Sequence, residues 1–359
     1  MGVQGINTTD RNGVQRTQIA PIETILPKSR FFSTYFMGGA GEFLPSAFVE
    51  WDYLTKGNPL AHFVGDGLTV PPTERGTFKT AQIETPRYQH RKVLGLKDMS
   101  HRLPGEPYGS MPSSMFKTLQ ERAARLRFED DVECVEAVAD LRELIVARFI
   151  TEGIVKVKGH GVDREINYNL PNRIKLIGDS AWKKDGVAGV PFEDLRGWIR
   201  SLKRLGFNPT EAIMSPEVWR ILEADKEWVA QLDNRRTEKG TIAPIEAIEY
   251  GAPAYMGTAR DPFLDFYTQE SEYYNIETGQ MERHLPIGTV ILTTAESRRN
   301  RFVYGSIDYM ESGQFRTVSG EFIREEWYDD RAATTEVLVT SRAVPIPANI
   351  NSWLVAHVL

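Results

Sequence analysis

The chain has 359 residues, of which 41% are hydrophobic and 26% charged, so it can bury a sizeable core and does not have the composition of a disordered protein. Lys and Arg total 43 against 49 Asp and Glu, and this net charge of −6 argues against tight binding of nucleic acid through phosphate neutralisation. Cys134 is the only cysteine, which excludes an intrachain disulfide and a multi-cysteine metal site.

The N-terminal 15 residues lack the basic and apolar blocks of a secretory signal. No apolar run approaches the roughly 18 to 20 residues that a membrane helix needs. The sequence therefore predicts a protein that is soluble and cytosolic at synthesis.

The first part of the chain is predicted to be extended. Residues 1–52 form an arm, because glycines and a proline between positions 38 and 45 interrupt any long element. Residues 53–108 contain six prolines and no helical periodicity, with strand-like stretches at 77–83 and 87–94. A structureless insertion of this length is uncommon inside a compact domain, so a long two-stranded excursion is predicted.

A very long helix is predicted over residues of about 113–152, with Gly153 as its C-terminal stop. Apolar residues recur at intervals of three and four in its second half and predict one buried face. They are Cys134, Val138, Leu141, Ile145 and Phe149. The acidic cluster at 129–133 indicates a solvated face or a break in the helix.

The remainder predicts a mixed domain followed by strands. A hairpin is expected around Gly159-His160-Gly161, and Pro191 begins an amphipathic helix that Gly206 ends. A short strand at 211–214 leads into a second helix that begins at Pro216. This helix is predicted to carry Val218, Trp219, Leu222 and Trp228. From Ala254 onward the pattern indicates strands, and the predicted fold class is α+β.

Motifs for catalysis are weak. The six histidines are scattered without a pair at ligand spacing, and no phosphate-binding loop is present. Cys134 lies on the apolar stripe of the long helix and is predicted to be an inert buried thiol. The aromatic stretch at 263–278 leaves open a β-rich enzyme or a glycan-binding protein, although alternation there is typical of half-buried strands.

The order of these elements resembles the major capsid proteins of lambda-like tailed bacteriophages, which have the Hong-Kong-97-type (HK97-like) fold. Several stretches carry the resemblance, which extends over about residues 40–359. They are ERGTFKTAQIETPRYQ with RLPGE, VKVKGHGVDREINYNLP, PFEDLRGWIRSLKRLGFNPTEAIMSPEVWRIL, RFVYGSIDYM and EEWYDDRAATTEVLVTSRAVPIPANINSWLVAHVL.

The resemblance implies a division of the chain into five parts. They are an N-terminal arm (1–52), an extended loop (53–108), a peripheral domain (109–190) with a spine helix at about 113–152, an axial domain (191–300), and strands that return to both domains (301–359). No catalytic, cofactor-binding or metal-binding residues are implied.

The implied function is a capsid subunit that assembles in the host bacterial cytoplasm into the icosahedral shell of a virion. Its implied partners are further copies in pentamers and hexamers, a scaffolding protein, a portal protein and a decoration protein, around double-stranded DNA. An encapsulin-like compartment subunit, which has the same fold, is the alternative.

The extended loop is expected to make contacts between subunits, because an isolated two-stranded ribbon is marginal in water and a neighbour can complete its burial. Residues of about 60–95 are therefore expected to serve assembly and not folding. The expected assembly contacts are Arg75, Phe78, Lys79, Arg87, Arg91 and Lys92. Their cations are predicted to meet acidic side chains of an adjacent subunit.

Overall fold

The computed structural model describes most of the chain. The described residues are 6–9, 15–18, 28–55, 77–100, 119–159, 161–182, 190–224, 251–260, 263–275, 278–311, 314–329 and 331–359. The helices among them are α1 (Phe31–Phe36), α2 (Leu96–Ser100), α3 (Leu119–Thr151), α4 (Pro191–Arg204) and α5 (Pro216–Ala224).

Twenty-two strands lie in the described ranges. In chain order they are β1 (Ile6–Thr9), β2 (Gln15–Gln18), β3 (Glu42–Phe43), β4 (Phe48–Thr55), β5 (Thr77–Glu84), β6 (Tyr88–Gly95), β7 (Ile154–Gly159), β8 (Val162–Asn167), β9 (Arg173–Lys175), β10 (Glu211–Met214), β11 (Ala254–Arg260), β12 (Phe263–Thr268), β13 (Glu272–Asn275), β14 (Gln280–Arg283), β15 (Thr289–Thr293), β16 (Arg301–Tyr304), β17 (Ile307–Glu311), β18 (Gln314–Val318), β19 (Ile323–Asp329), β20 (Thr334–Ser341), β21 (Ala343–Ile346) and β22 (Leu354–His357).

The spine helix α3 is the longest element, with 33 residues and a length of about 50 Å at 1.5 Å per residue. It continues through the acidic cluster without a break, and the predicted start near 113 lies outside the described residues. The helix ends as predicted at Gly153, which has a φ of +65° and whose amide donates to the carbonyl oxygens of Arg148 and Phe149 at 3.1 Å.

The predicted apolar face of α3 is correct except at one position. Cys134, Val138, Ile145 and Phe149 are buried in the larger of two hydrophobic clusters, but Leu141 is 41% exposed. Leu141 faces an open cleft between α3 and the β13–β14 hairpin. Helical periodicity identifies an apolar face, but its burial depends on which other element packs against it. No described element of the subunit packs against Leu141.

Two of the eight sheets in the described residues matter most for the architecture around the helices. A six-stranded mixed sheet, which we call the axial sheet, has the order β11-β12-β10-β15-β22-β9. Its strands alternate as the two-residue repeat of a sheet requires: Ala212 and Met214 pack under α4 and α5, whereas Ile213 joins the cluster around α3. The second sheet, β19-β20-β6, packs against α3.

The predicted strands at 77–83 and 87–94 are both present as β5 and β6, but they do not pair with each other. β5 pairs antiparallel with β4 from Phe48↔Glu84 to Thr55↔Thr77. β6 pairs along its whole length with β20, and Tyr88 on β6 is buried. The projecting hairpin is therefore β4–β5, and β6 belongs to the sheet on α3.

Local predictions elsewhere in the chain are confirmed. The β7–β8 hairpin surrounds the predicted turn, in which His160 lies outside the described residues. The Pro191 helix buries Leu195, Trp198, Ile199 and Leu202, and Gly206 follows it at a φ of +90°. The helix at Pro216 buries Val218, Trp219 and Leu222, whereas Trp228, which was assigned to it, lies outside the described residues.

Candidate assembly surface

The base of the β4–β5 hairpin is fixed to the body of the subunit. The amide and hydroxyl of Thr85 both donate to the carbonyl oxygen of Ala47, at 2.9 and 2.8 Å. Glu84 pairs with Arg164 at 2.6 Å and with Arg342 at 3.3 Å. The side chain of Thr85 also fills the space beside Gly305, where an added Cβ would lie 2.2 Å from its Oγ1. Glu84 and Thr85 thus tie the end of β5 to the body of the subunit.

The expected contact residues of the loop are only partly placed by the structure. Arg75 lies outside the described residues. Phe78 and Lys79 lie on β5, although their side chains are not among those described. Arg87 is exposed in the short connection between β5 and β6. It is therefore available at the foot of the hairpin.

Arg91 and Lys92 already have partners within their own subunit. Arg91 Nη2 lies 2.5 Å from Glu336 Oε2 on β20, and its guanidinium lies 5.8 Å from the centroid of the Trp327 ring. Lys92 bonds Glu133 of α3 and lies 3.7 Å from Asp130, and the hydrogen bond with Glu133 raises the pKa of the lysine although burial opposes it. These two cations hold the β6 sheet together and against the spine helix.

Exposed apolar side chains mark surfaces that the sequence reasoning missed. Phe128, Val132 and Val135 are exposed on α3 at positions i, i+4 and i+7, and Phe128 is 69% exposed. Phe315, on β18 of the β17–β18 hairpin, is 88% exposed. Large exposed apolar groups on a folded subunit indicate surfaces that a partner covers. The spacing on α3 was visible in the sequence, but it lay outside the stripe chosen as the core face.

A cleft of about 850 Å³ lies between α3 and the β13–β14 hairpin. Its polar groups are paired with one another: Tyr273 donates to Glu282 at 2.7 Å and accepts from Arg148 at 3.3 Å. Ser271 Oγ lies 3.1 Å from His284 Nδ1 beside the cleft, and both side chains are buried. This Ser-His pair is a packed core contact that presents no nucleophile to the cleft.

No group of three or more His, Cys, Asp or Glu side chains among the described residues has the arrangement of a metal site. None of the described helices is both long and apolar enough to cross a membrane.

This architecture defines the HK97-like class of phage capsid subunit. Its elements are the long spine helix, the sheet packed on it, the helix-covered axial sheet and the β4–β5 hairpin. The chain belongs to the phage major capsid protein E family, whose model matches residues 16–358. It is a shell-forming major capsid protein and thus a component of the virion. This assignment favours the phage shell over the encapsulin-like compartment.

One solved structure agrees with the fold. The chain is similar to a protein assigned as a prophage capsid protein of E. coli CFT073, with 20% identity, 79% of this chain and 80% of that chain covered, and a TM-score of 0.57. It also matches the capsid of Ralstonia phage GP4, with 12% identity, coverage of 96% and 95%, and a TM-score of 0.48. No curated protein sequence matches the chain.

Proposed function

We propose that this capsid protein forms pentamers and hexamers that close around double-stranded DNA in the host bacterial cytoplasm. A scaffolding protein, a portal protein and a decoration protein would assist, and the subunit itself would carry out no catalysis. The observation that carries the proposal is the family match over residues 16–358. The net charge of −6 is also consistent with a wall that does not adhere to the DNA it encloses.

The β4–β5 hairpin is the element that we assign to contacts between neighbouring subunits. It pairs with no third strand among the described residues, and two strands alone are marginally stable in water. Arg75, Phe78, Lys79 and Arg87 would contact the neighbour. Arg91 and Lys92 belonged to the same expectation, but each would reach a neighbour only by giving up a carboxylate of its own subunit.

Because β6 belongs to the core, the segment that can be removed without unfolding the subunit is shorter than expected. Residues 60–95 as a whole were expected to serve assembly and not folding, but β6 within this range is part of the sheet on α3. A deletion that includes β6 would therefore remove core. Residues 56–76 are the better target, because Thr55 and Thr77 are register partners that a short link can join.

The test replaces residues 56–76 by a four-residue Gly-Ser link. The subunit should keep its far-ultraviolet circular dichroism and a cooperative thermal transition, since β4, β5 and β6 remain. It should fail to form closed shells by electron microscopy, because the outer part of the loop is lost. A second variant, with a Gly-Ser segment of the original length, separates loss of length from loss of side chains.

Normal shells from the four-residue variant would contradict the role of the loop in assembly. If only the variant with a Gly-Ser segment of the original length forms normal shells, assembly requires the length of the loop and not Arg75 or its neighbours in the sequence. A globally unfolded four-residue variant would show that the loop belongs to the core.

A further inference from the structure

The short helix α1 lies between the spine helix and the axial sheet, and its N-terminus is capped from a distance. Its own N-cap residue, Arg30, makes no capping hydrogen bond through its side chain. The carboxylate of Glu143 on α3 instead accepts from the amides of Phe32 at 2.5 Å and Ser33 at 2.8 Å. These are amides that a helix leaves without intrahelical partners. Glu143 is only 1% exposed, so its removal would leave the buried amide of Phe32 and the half-buried amide of Ser33 without this acceptor.

The residues before α1 are held on the same helix. Lys28 pairs with Glu136 at 2.5 Å, and Arg30 pairs with Asp140 at 2.5 Å. These two pairs are half-exposed, and ion pairs at the surface contribute little to stability. The buried contact with Glu143 is therefore the stronger attachment of this segment to α3.

The other side of α1 is attached to the axial sheet. Tyr35 donates its hydroxyl to Glu211 of β10 and lies 3.2 Å from the hydroxyl of Thr293 on β15. The guanidinium of Arg298 lies 4.7 Å from the centroid of the Tyr35 ring and also bonds Glu211. The chain after α1 continues along this side, where the Gly38 amide donates to the carbonyl oxygen of Arg298 at 2.8 Å.

A second connection joins the spine helix to the axial sheet directly. Trp353, just before β22, donates its indole N–H to the carbonyl oxygen of Ile150 at 3.2 Å and packs edge-on against Phe149, with ring centroids 5.6 Å apart. Ile150 lies seven residues from Glu143, which is about 10 Å along the helix axis. The sheet is thus attached to α3 at two points, through α1 at Glu143 and through Trp353 at Ile150. Two attachments at this separation resist rotation of the sheet, whereas a single attachment would act as a pivot.

We propose that residues 29–39 are a brace that fixes the angle between the spine helix and the axial sheet, with Glu143 as its positioning residue. When the brace is released, the axial sheet turns about the Trp353 contact. One subunit fold would thereby adopt more than one angle, with the repacking confined to the larger hydrophobic cluster, which joins α3, α1 and the inner face of the axial sheet.

The test measures the angle in full-length, unassembled subunits, so its outcome does not depend on shell formation. Spin labels are placed at Glu129→Cys on α3 and Arg200→Cys on α4, two exposed positions, in a Cys134→Ala background. The distance distribution between the labels is compared with amide hydrogen exchange at Phe32 and Ser33. The matched control is Glu136→Gln, which removes a carboxylate from the same helix but does not cap α1.

In Glu143→Ala we expect exchange at the two amides to rise at least tenfold and the distance distribution to widen at least twofold. Glu143→Gln, which keeps one acceptor oxygen, should lie between Glu143→Ala and the native chain. Tyr35→Phe removes only the hydroxyl at the axial end, so it should widen the distribution while the capped amides stay protected. Glu136→Gln should change neither measurement.

Faster amide exchange with an unchanged distance distribution in Glu143→Ala would overturn the proposal, because Glu143 would then cap α1 without bracing the sheet. A distribution in Glu136→Gln as wide as in Glu143→Ala would overturn it too. If Glu143→Ala does not fold, Tyr35→Phe decides the matter: it keeps the ring and the cap, and an unchanged distribution there contradicts a brace.

Discussion

His284 should make the subunit less stable as the pH falls from neutral to mildly acidic. The ring is 3% exposed, bonds Ser271 and lies beside the ring of Tyr273 at 5.1 Å between centroids. Burial lowers its pKa from 6.5 to about 4, and the positive charges of Arg148 and Arg30 contribute in the same direction. The folded subunit therefore holds this histidine neutral where the unfolded chain protonates it.

The sign and magnitude follow from proton linkage. Between pH 6.5 and about 4 the unfolded chain binds more protons at this site, so stability is complete above pH 6.5 and is lost as the pH falls through this range. The full loss is about 3 kcal/mol, of which about 2 kcal/mol is reached at pH 5. Burial also raises the pKa of Glu143, and this shift makes the subunit more stable as the pH falls. Its effect is the same in two proteins that differ only at His284, so it cancels in their comparison.

The assay is urea unfolding of unassembled subunits at pH 7 and pH 5, for the native chain and for His284→Asn. Asn keeps a group that can bond Ser271 but cannot be protonated, so the variant should lose about 2 kcal/mol less between the two pH values than the native chain. His90→Asn, at a half-exposed position on β6, is the matched control for a histidine-to-asparagine substitution outside this site. Equal losses in the native chain and His284→Asn would refute the reasoning.

Three further substitutions test packing. Cys134→Ala should leave shells intact by electron microscopy and lower the free energy of unfolding by about 1 to 2 kcal/mol or less, because the thiol is buried. Burial also raises the pKa of this thiol, which makes it unreactive. Rapid alkylation of the native thiol that blocks assembly without unfolding the subunit would contradict this. Gly153→Ala should cost about 2 to 4 kcal/mol in thermal unfolding, because φ is +65° and the new Cβ would lie 2.5 Å from Leu170 Cγ. Gly161→Ala is the comparison, because Gly161 has a φ of +79° but open space around the Cβ position, and it should cost only about 1 to 2 kcal/mol. Equal losses of stability in Gly153→Ala and Gly161→Ala would disprove the steric argument.

The parts of the fold that were predictable are those in which a local pattern decides the structure. The helix at 191–204 has Pro191 at its start, Gly206 just after it and an apolar stripe between them, and all of these appear in the structure as predicted. The β7–β8 hairpin was equally local. Each depends on residues within about 15 positions of one another, which periodicity and turn chemistry can identify.

The pairing of distant strands could not be predicted in this way. The strand at 88–95 was located correctly, but its partner β20 lies about 250 residues further along the chain. Nothing in the composition of either strand specifies the other. For the same reason Arg91 and Lys92 looked available to a neighbour, although Glu336 and Glu133 meet them within the subunit.

Glu143 shows the same limit for a single side chain. On a helix rich in acidic residues it reads as one more solvated carboxylate. Its function as a cap depends on α1, which lies more than 100 residues earlier and does not cap itself. Tertiary placement, and not the local pattern, turns this carboxylate into a buried structural group.

The most direct test of a shell-forming subunit is electron microscopy of the purified full-length protein, expressed alone and together with its scaffolding protein. Closed particles or rings with five-fold and six-fold symmetry are expected, because complementary surfaces repeated on every copy act together in a closed assembly. A strictly monomeric species at high protein concentration, even with the scaffolding protein present, would contradict it.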